Sequence, residues 1–212
     1  MEYCVDGEFE LNKDAPAFDN TDVVQGEIDD CWFLSAIILV ASRKALMEQV
    51  LLTRDTSDSG AYLARFHIDG QWQSVLVDDM LPCMEDVEGA EAAVTPVFAR
   101  SKAGHNLWCQ LIEKAYAKLF VPHVLLLGHR YDPCPHTVAW CRHGSYQALK
   151  GGHVHVGLSE LTGGAANAIY LKAPDVRTRI TDGTMWTQLK QYRRAVCVGL
   201  LGVRALWRGS SC

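Results

Sequence analysis

The run CWFLSAIILV, residues 31–40, constrains this chain more than any other stretch. It is apolar on almost every face of a helix, so other parts of the fold must enclose it rather than leave one side to solvent. A chain of 212 residues, 49% apolar and 21% charged, can supply that enclosure. No apolar run approaches the ~18–20 residues needed to cross a bilayer, so no transmembrane segment is expected. Asp29 and Asp30 stand just before the run, where a carboxylate can cap free N–H groups and favour the positive helix end.

The rest of the chain reads as an α+β fold. Residues 1–28 have no period and form an irregular, acidic lead-in. Ala64, Phe66 and Ile68 alternate with Arg65, His67 and Asp69, and Trp72 to Asp78 form the return strand of a hairpin. Asp69-Gly70 is the turn dipeptide a tight hairpin prefers. Residues 80–96 read as an acidic loop with a proline at either end. Asn106 to Leu119 predicts an amphipathic helix, with Leu107, Leu111, Ala115 and Leu119 on one stripe. Gly151-Gly152 and Gly163-Gly164 mark turns. Ile169 to Leu171 reads as a short strand, Thr184 to Arg194 as a helix, and Val196 to Val203 as an apolar strand.

A net charge of −5 argues against nucleic-acid binding, which wants a basic surface. The opening MEYCVDGEFELNKD has no apolar h-region, so it is not expected to be a secretory signal. Without export the eight cysteines should be mostly reduced thiols, and the cytoplasm is the expected compartment.

A thiol attacks as its thiolate, which needs surroundings that stabilise negative charge. The first turn of a helix supplies them, and the pattern puts Cys31 there. Acyl transfer also needs a donor aimed at the developing oxyanion. Gln25 can fold back from the lead-in to offer its amide, and Gly26 would let the backbone approach closely. The competing reading is a cysteine that is merely a small buried hydrophobe.

The word QGEIDDCWFLSA (25–36) resembles the nucleophile segment of the calpain cysteine proteases. The resemblance continues at WQSVLVDDMLP (72–82), LWCQLIEKAYAKL (107–119), GSYQALKGG (144–152) and LTGG (161–164), in the family's order. It implies a papain-like fold, with a helical subdomain bearing a hairpin and short strands. By carry-over Cys31 is the nucleophile and Gln25 the oxyanion-hole donor, while Trp32, Gly151 and Gly152 border the substrate groove. It also implies calcium, with Asp22 and Glu113 as candidate ligands, although Glu113 reads equally well as an exposed partner of Lys114 or Lys118. The implied division is a lead-in over 1–21, a catalytic subdomain over 22–203 with an atypical insert at 120–143, and an unrelated tail over 204–212.

Three departures from the family stand out. Asp29-Asp30-Cys31 replaces Gly-Asp-Cys, and a charged residue at 29 is expected to strain the turn and oppose a thiolate. The Gly-His-Ala-Tyr and Asn-Pro-Trp words that carry the family's histidine and asparagine are absent, so this chain reads as the nucleophile-bearing half alone. The insert brings together Cys134, His136, Cys141 and His143. These are soft ligands that zinc accepts, but at spacings unlike the common C-x2-C pairs. A surface loop, or non-native sequence such as a translated intron, is the favoured account of it.

The expected function is intracellular peptide-bond hydrolysis through an acyl-enzyme, with a polypeptide substrate and little activity for this chain by itself. The alternative is a non-catalytic module that binds peptide or other calpain-type domains or subunits. Nucleic acid is not an expected partner.

Overall fold

The computed structural model describes residues 2–4, 18, 21, 23–53, 57–86, 93–102, 106–119 and 146–192. It divides into two units, Met1–Gly164 and Ala165–Cys212, and mixes helices with short sheets. Among the described residues no helix is long and apolar enough to cross a membrane.

The apolar run forms α1, Cys31–Ala41, and buries Phe33, Leu34, Ala36, Ile37, Val40 and Ala41. The helix stops at Ser42, whose hydroxyl donates back to the Leu39 carbonyl at 2.6 Å. Arg43 is extended and a second helix, α2, follows over Lys44–Val50. The periodicity alone had no cue for that break beyond one serine.

Seven strands are described: β1 Glu2–Cys4, β2 Val23–Val24, β3 Ala61–Ile68, β4 Gln71–Asp78, β5 Leu81–Asp86, β6 Ala93–Pro96 and β7 Arg100–Ser101. β3 and β4 are the expected hairpin, with Ala61 opposite Asp78 and Ile68 opposite Gln71. Asp69 and Gly70 both take positive φ, at 49° and 79°, as the two-residue turn of a right-twisted hairpin requires. Tyr62, Ala64, Phe66 and Ile68 face the core in strict alternation.

Residues 80–96 are not simply a loop. β5 pairs antiparallel with β6 and with β1, in the order β1-β5-β6. Leu81 and Cys83 point inward while Met84 is exposed, an alternation that the acidic composition concealed. The lead-in likewise contains β2, which pairs with β7. Cys83 is disulfide-bonded, whereas Cys31 and Cys109 are thiols.

The long helix α3, Trp108–Leu119, is buried on most faces. Its Tyr116 ring stacks on Phe33 of α1 with centroids 3.9 Å apart and meets Phe66 of β3 edge-on at 5.3 Å. The Tyr116 hydroxyl donates to Glu160 on α4, Val154–Thr162. α4 lies close on α1 at Gly157, where a Cβ would come within 3.0 Å of the Ala36 methyl. His153 and His155 therefore stand at the start of a helix, not on an alternating extended stretch. One aromatic ring thus joins three helices and a strand.

Both outer edges of the hairpin are occupied near its open end. On the β3 side the Leu63 carbonyl accepts from Leu52 N–H at 2.8 Å, and the Thr53 hydroxyl accepts from Leu63 N–H at 3.0 Å. On the β4 side Lys118 donates to the Leu76 carbonyl at 2.6 Å, and Lys114 to the Asp78 carbonyl at 3.0 Å and its carboxylate at 2.5 Å. Burial pushes the Asp78 carboxyl up, but the hydrogen bond and charge of Lys114, with the Met80 N–H, together outweigh it and hold the carboxyl below its usual range.

In the second unit, α5 spans Pro174–Thr181 and α6 spans Thr184–Tyr192, with Val176 and Met185 buried. Ile169, Tyr170 and Leu171 are exposed and do not form the expected strand. The expected strand over 196–203, the insert at 120–143 and the tail at 204–212 lie outside the described residues.

Candidate active site

Cys31 is the first residue of α1 and is half-buried. The Asp30 carbonyl accepts from the N–H groups of Phe33 and Leu34 at 2.8 and 3.1 Å, so Asp30 is the helix N-cap by its backbone. Its side chain makes no cap, contrary to the expectation from its position. The carboxyl turns into the core, fully enclosed, where its interaction with the Glu113 carboxyl of α3 is strong enough to shift the protonation of both. Glu113 is only 1% exposed. It is not the surface partner of Lys114 or Lys118, both of which reach toward β4 instead.

The Ala99 N–H donates to Glu113 Oε2 at 2.9 Å. Among the described residues, Glu113 Oε1 and both Asp30 carboxyl oxygens have no hydrogen-bond donor. Two carboxyls this close and this dry cannot both be charged. Burial first, and Asp30 second, push Glu113 well above the usual carboxylate range. Burial also pushes Asp30 up, with the Asp29 charge adding to it. One proton held between the two carboxyls gives the pair a donor and halves its charge.

The loop before the nucleophile is pinned at several points. Gln25 Nε2 donates to the Ile28 carbonyl at 2.8 Å, which uses one of the two amide hydrogens. The Glu27 N–H donates to the Val97 carbonyl at 3.0 Å. Beside it, a Cβ on Gly26 would lie 2.3 Å from both the Val97 oxygen and the Phe98 carbonyl carbon. Glycine is therefore demanded there by contact with another backbone, as the sequence suggested.

The facing wall comes from residues 146–152. A short 3-10 turn, Tyr146–Leu149, leads into the two glycines. Trp32 Nε1 donates to the Leu149 carbonyl at 2.8 Å, and the Gly151 N–H donates to the Asp29 carbonyl at 3.0 Å. Gly152 presses so closely on the Trp32 ring that a Cβ would sit 2.3 Å from it, while Gly151 has φ 73°. Cys31 thus lies between Asp29, which Gly151 holds, and Trp32, whose ring Gly152 covers.

Asp29 does not strain its turn. Among described non-glycine residues only Asp69 has positive φ, and the Asp29 carboxylate faces Lys150 Nζ at 3.6 Å. Lys150 had no role in the sequence reading, although its place beside Gly151-Gly152 was a usable signal. Of the histidines, His67 meets the Trp72 ring edge-on at 5.2 Å, and His153 stacks on His155 at 5.4 Å. His105, His123, His129, His136 and His143 lie outside the described residues, as do Asp22, Cys134 and Cys141. Among the described residues no group of three or more His, Cys, Asp or Glu is placed to hold a metal ion.

The sequence that builds this arrangement is similar to other chains. The family model described as calpain family cysteine protease matches residues 4–131. The chain belongs to the calpain cysteine protease family. The maize calpain-type cysteine protease DEK1 is 36% identical to this calpain-family chain over 175 residues, covering 82% of the chain and 7% of that protein. The rice calpain-type cysteine protease ADL1 gives the same identity and coverage. Human calpain-12 is 30% identical over 175 residues, covering 81% of this chain and 19% of its own length. The calpain chain thus spans less than a fifth of each of these relatives.

Proposed function

We propose that this chain is the nucleophile-bearing part of a papain-like, cytoplasmic calpain-type endopeptidase. The observation that carries the reading is Cys31 at the start of an enclosed helix, behind a loop that Gly26 clamps to Val97 and Phe98. The helix N-terminus favours the thiolate, which attacks a peptide carbonyl laid beside Trp32 and Gly151-Gly152. The second Gln25 amide hydrogen and the Cys31 N–H take the oxyanion of the tetrahedral intermediate. Collapse expels the amine and leaves a thioester on Cys31, which water hydrolyses. Proton transfer to the amine and from the water requires a histidine, which we assign to a second subdomain together with an orienting asparagine.

Two measurements test this. Iodoacetamide near pH 6, followed by peptide mapping, is expected to alkylate Cys31 at least about tenfold faster than an ordinary thiol; equal rates overturn an activated nucleophile. With a fluorogenic peptide the chain by itself is expected to give no turnover above its Cys31→Ala variant. Turnover that depends on Cys31 overturns assignment of the base to another subdomain.

Calcium is part of the same reading. Glu113 offers carboxylate oxygen without a cationic partner, the hard donor that calcium takes, and we assign Glu113 and Asp22 as its ligands. Bound calcium would supply positive charge able to stand in for the proton now shared with Asp30. Calorimetric titration is expected to show millimolar or tighter binding that Glu113→Gln weakens; a flat titration dismisses the assignment.

A further inference from the structure

At position 29 this chain has a carboxylate where the family usually has glycine, and the structure gives that side chain a counter-ion in Lys150. The two halves of the pair are mounted rigidly. Asp29 is fixed by the hydrogen bond its carbonyl accepts from Gly151, and Lys150 sits between Gly151 and Leu149, whose carbonyl is held by Trp32. The charged ends, in contrast, are open, with 58% of the Asp29 and 63% of the Lys150 side chain exposed. At 3.6 Å the contact is an ion pair without a tight hydrogen bond, and exposed pairs of this kind exchange partners readily. Asp29 is two residues from the nucleophile along the chain, and Lys150 precedes the Gly151 whose N–H bonds the Asp29 carbonyl.

We propose that Asp29 is a specificity residue, taking a cationic side chain of a peptide laid beside Gly151-Gly152 by exchanging it for Lys150. This rests on Cys31 being the nucleophile of a peptidase. The sign follows from the neighbours in the chain: Glu27, Asp29 and Asp30 make the segment before Cys31 acidic, and Lys150 is the cation paired with Asp29. A lysine or arginine of the substrate gains Asp29 when Lys150 swings out to solvent. An acidic side chain gains Lys150 only by meeting this acidic surface.

The test uses the thiol itself and needs no turnover. Three methanethiosulfonates are applied to the whole chain at low salt: the cationic 2-aminoethyl, the anionic 2-sulfonatoethyl and the neutral methyl reagent. Modification of Cys31 is followed by peptide mapping. The cationic reagent is expected to react faster than the anionic one. Asp29→Asn should lower that cation-to-anion ratio by about 3–10-fold, Lys150→Met should raise it by a similar factor, and 0.5 M salt should compress both changes. An unchanged ratio in Asp29→Asn, or a wild-type preference for the anionic reagent, overturns the proposal. The neutral reagent reports separately on thiol activation, so a slow Cys31 with a ratio that still follows the variants removes the peptidase reading and not the charge control by Asp29.

Discussion

Substituting alanine for Gly26 is expected to lower the stability of the first unit by about 3 kcal/mol or more, among the largest single-methyl effects available here. The added carbon would lie 2.3 Å from the Val97 oxygen and the Phe98 carbonyl carbon, and both are backbone, so no side chain can rotate away. The loop must lift instead, breaking the 3.0 Å bond from Glu27 N–H to the Val97 carbonyl. For a chain of this size the loss corresponds to about 6–12 °C in thermal midpoint. Gly70→Ala is the control: nothing lies within 4 Å of its Cβ position, so only the positive φ opposes it, at about 1 kcal/mol. Lifting the loop also disturbs Gln25 and its bond to the Ile28 carbonyl, three residues before Cys31, so alkylation of that thiol should change in Gly26→Ala and not in Gly70→Ala. Equal midpoints for the two variants would refute the close-contact argument.

The second large effect is a change in the pH dependence of stability in Glu113→Gln. The sign follows from the direction of the shift. Folded Glu113 holds its proton to well above the 4.5 of an ordinary glutamic acid, so between those two values the folded chain binds more protons than the unfolded one. The stability carried by that proton is fully present below pH 4.5 and is lost as pH rises through the raised folded value. Glutamine cannot ionise, yet its oxygen can accept from Ala99 N–H and its NH2 can donate to Asp30. Near pH 8 the variant is expected to be more stable than the parent by about 1–3 kcal/mol, and near pH 4 the difference should vanish or reverse. Chemical denaturation across pH 4–8 measures it. Parallel curves for the two proteins would mean that the pair does not share a proton.

What could be read in advance depended on whether one local physical rule governed a segment. The α1 helix and the β3–β4 hairpin were legible because unbroken apolarity and strict alternation each admit one solution, and Asp69-Gly70 specifies its own turn. Leu81 to Pro96 was misread because Pro82, Glu85 and Asp86 mimic loop chemistry while their pairing partners, β1 and β6, are set by tertiary contact. Asp30 illustrates the same limit at the site. Before a helix an aspartate caps by default, and only the Glu113 carboxyl arriving from 83 residues away turns it inward. Gly26 was legible, because a glycine next to a nucleophile loop has few other uses. Lys150 was not, since a surface lysine carries no signal until its neighbour Asp29 is located in space.

The lysines of α3 have a bearing on self-association. A two-stranded ribbon offers its outermost carbonyls to any passing extended chain, the first step toward intermolecular sheet growth. Here the ammonium groups of Lys114 and Lys118 already occupy the Asp78 and Leu76 carbonyls, and Leu52 and Thr53 occupy Leu63 on the opposite margin. Acetylating the exposed Lys118 would release the Leu76 carbonyl beside the exposed Leu76 side chain. Such a molecule would keep its native fold and yet clump, losing solubility well before it lost structure.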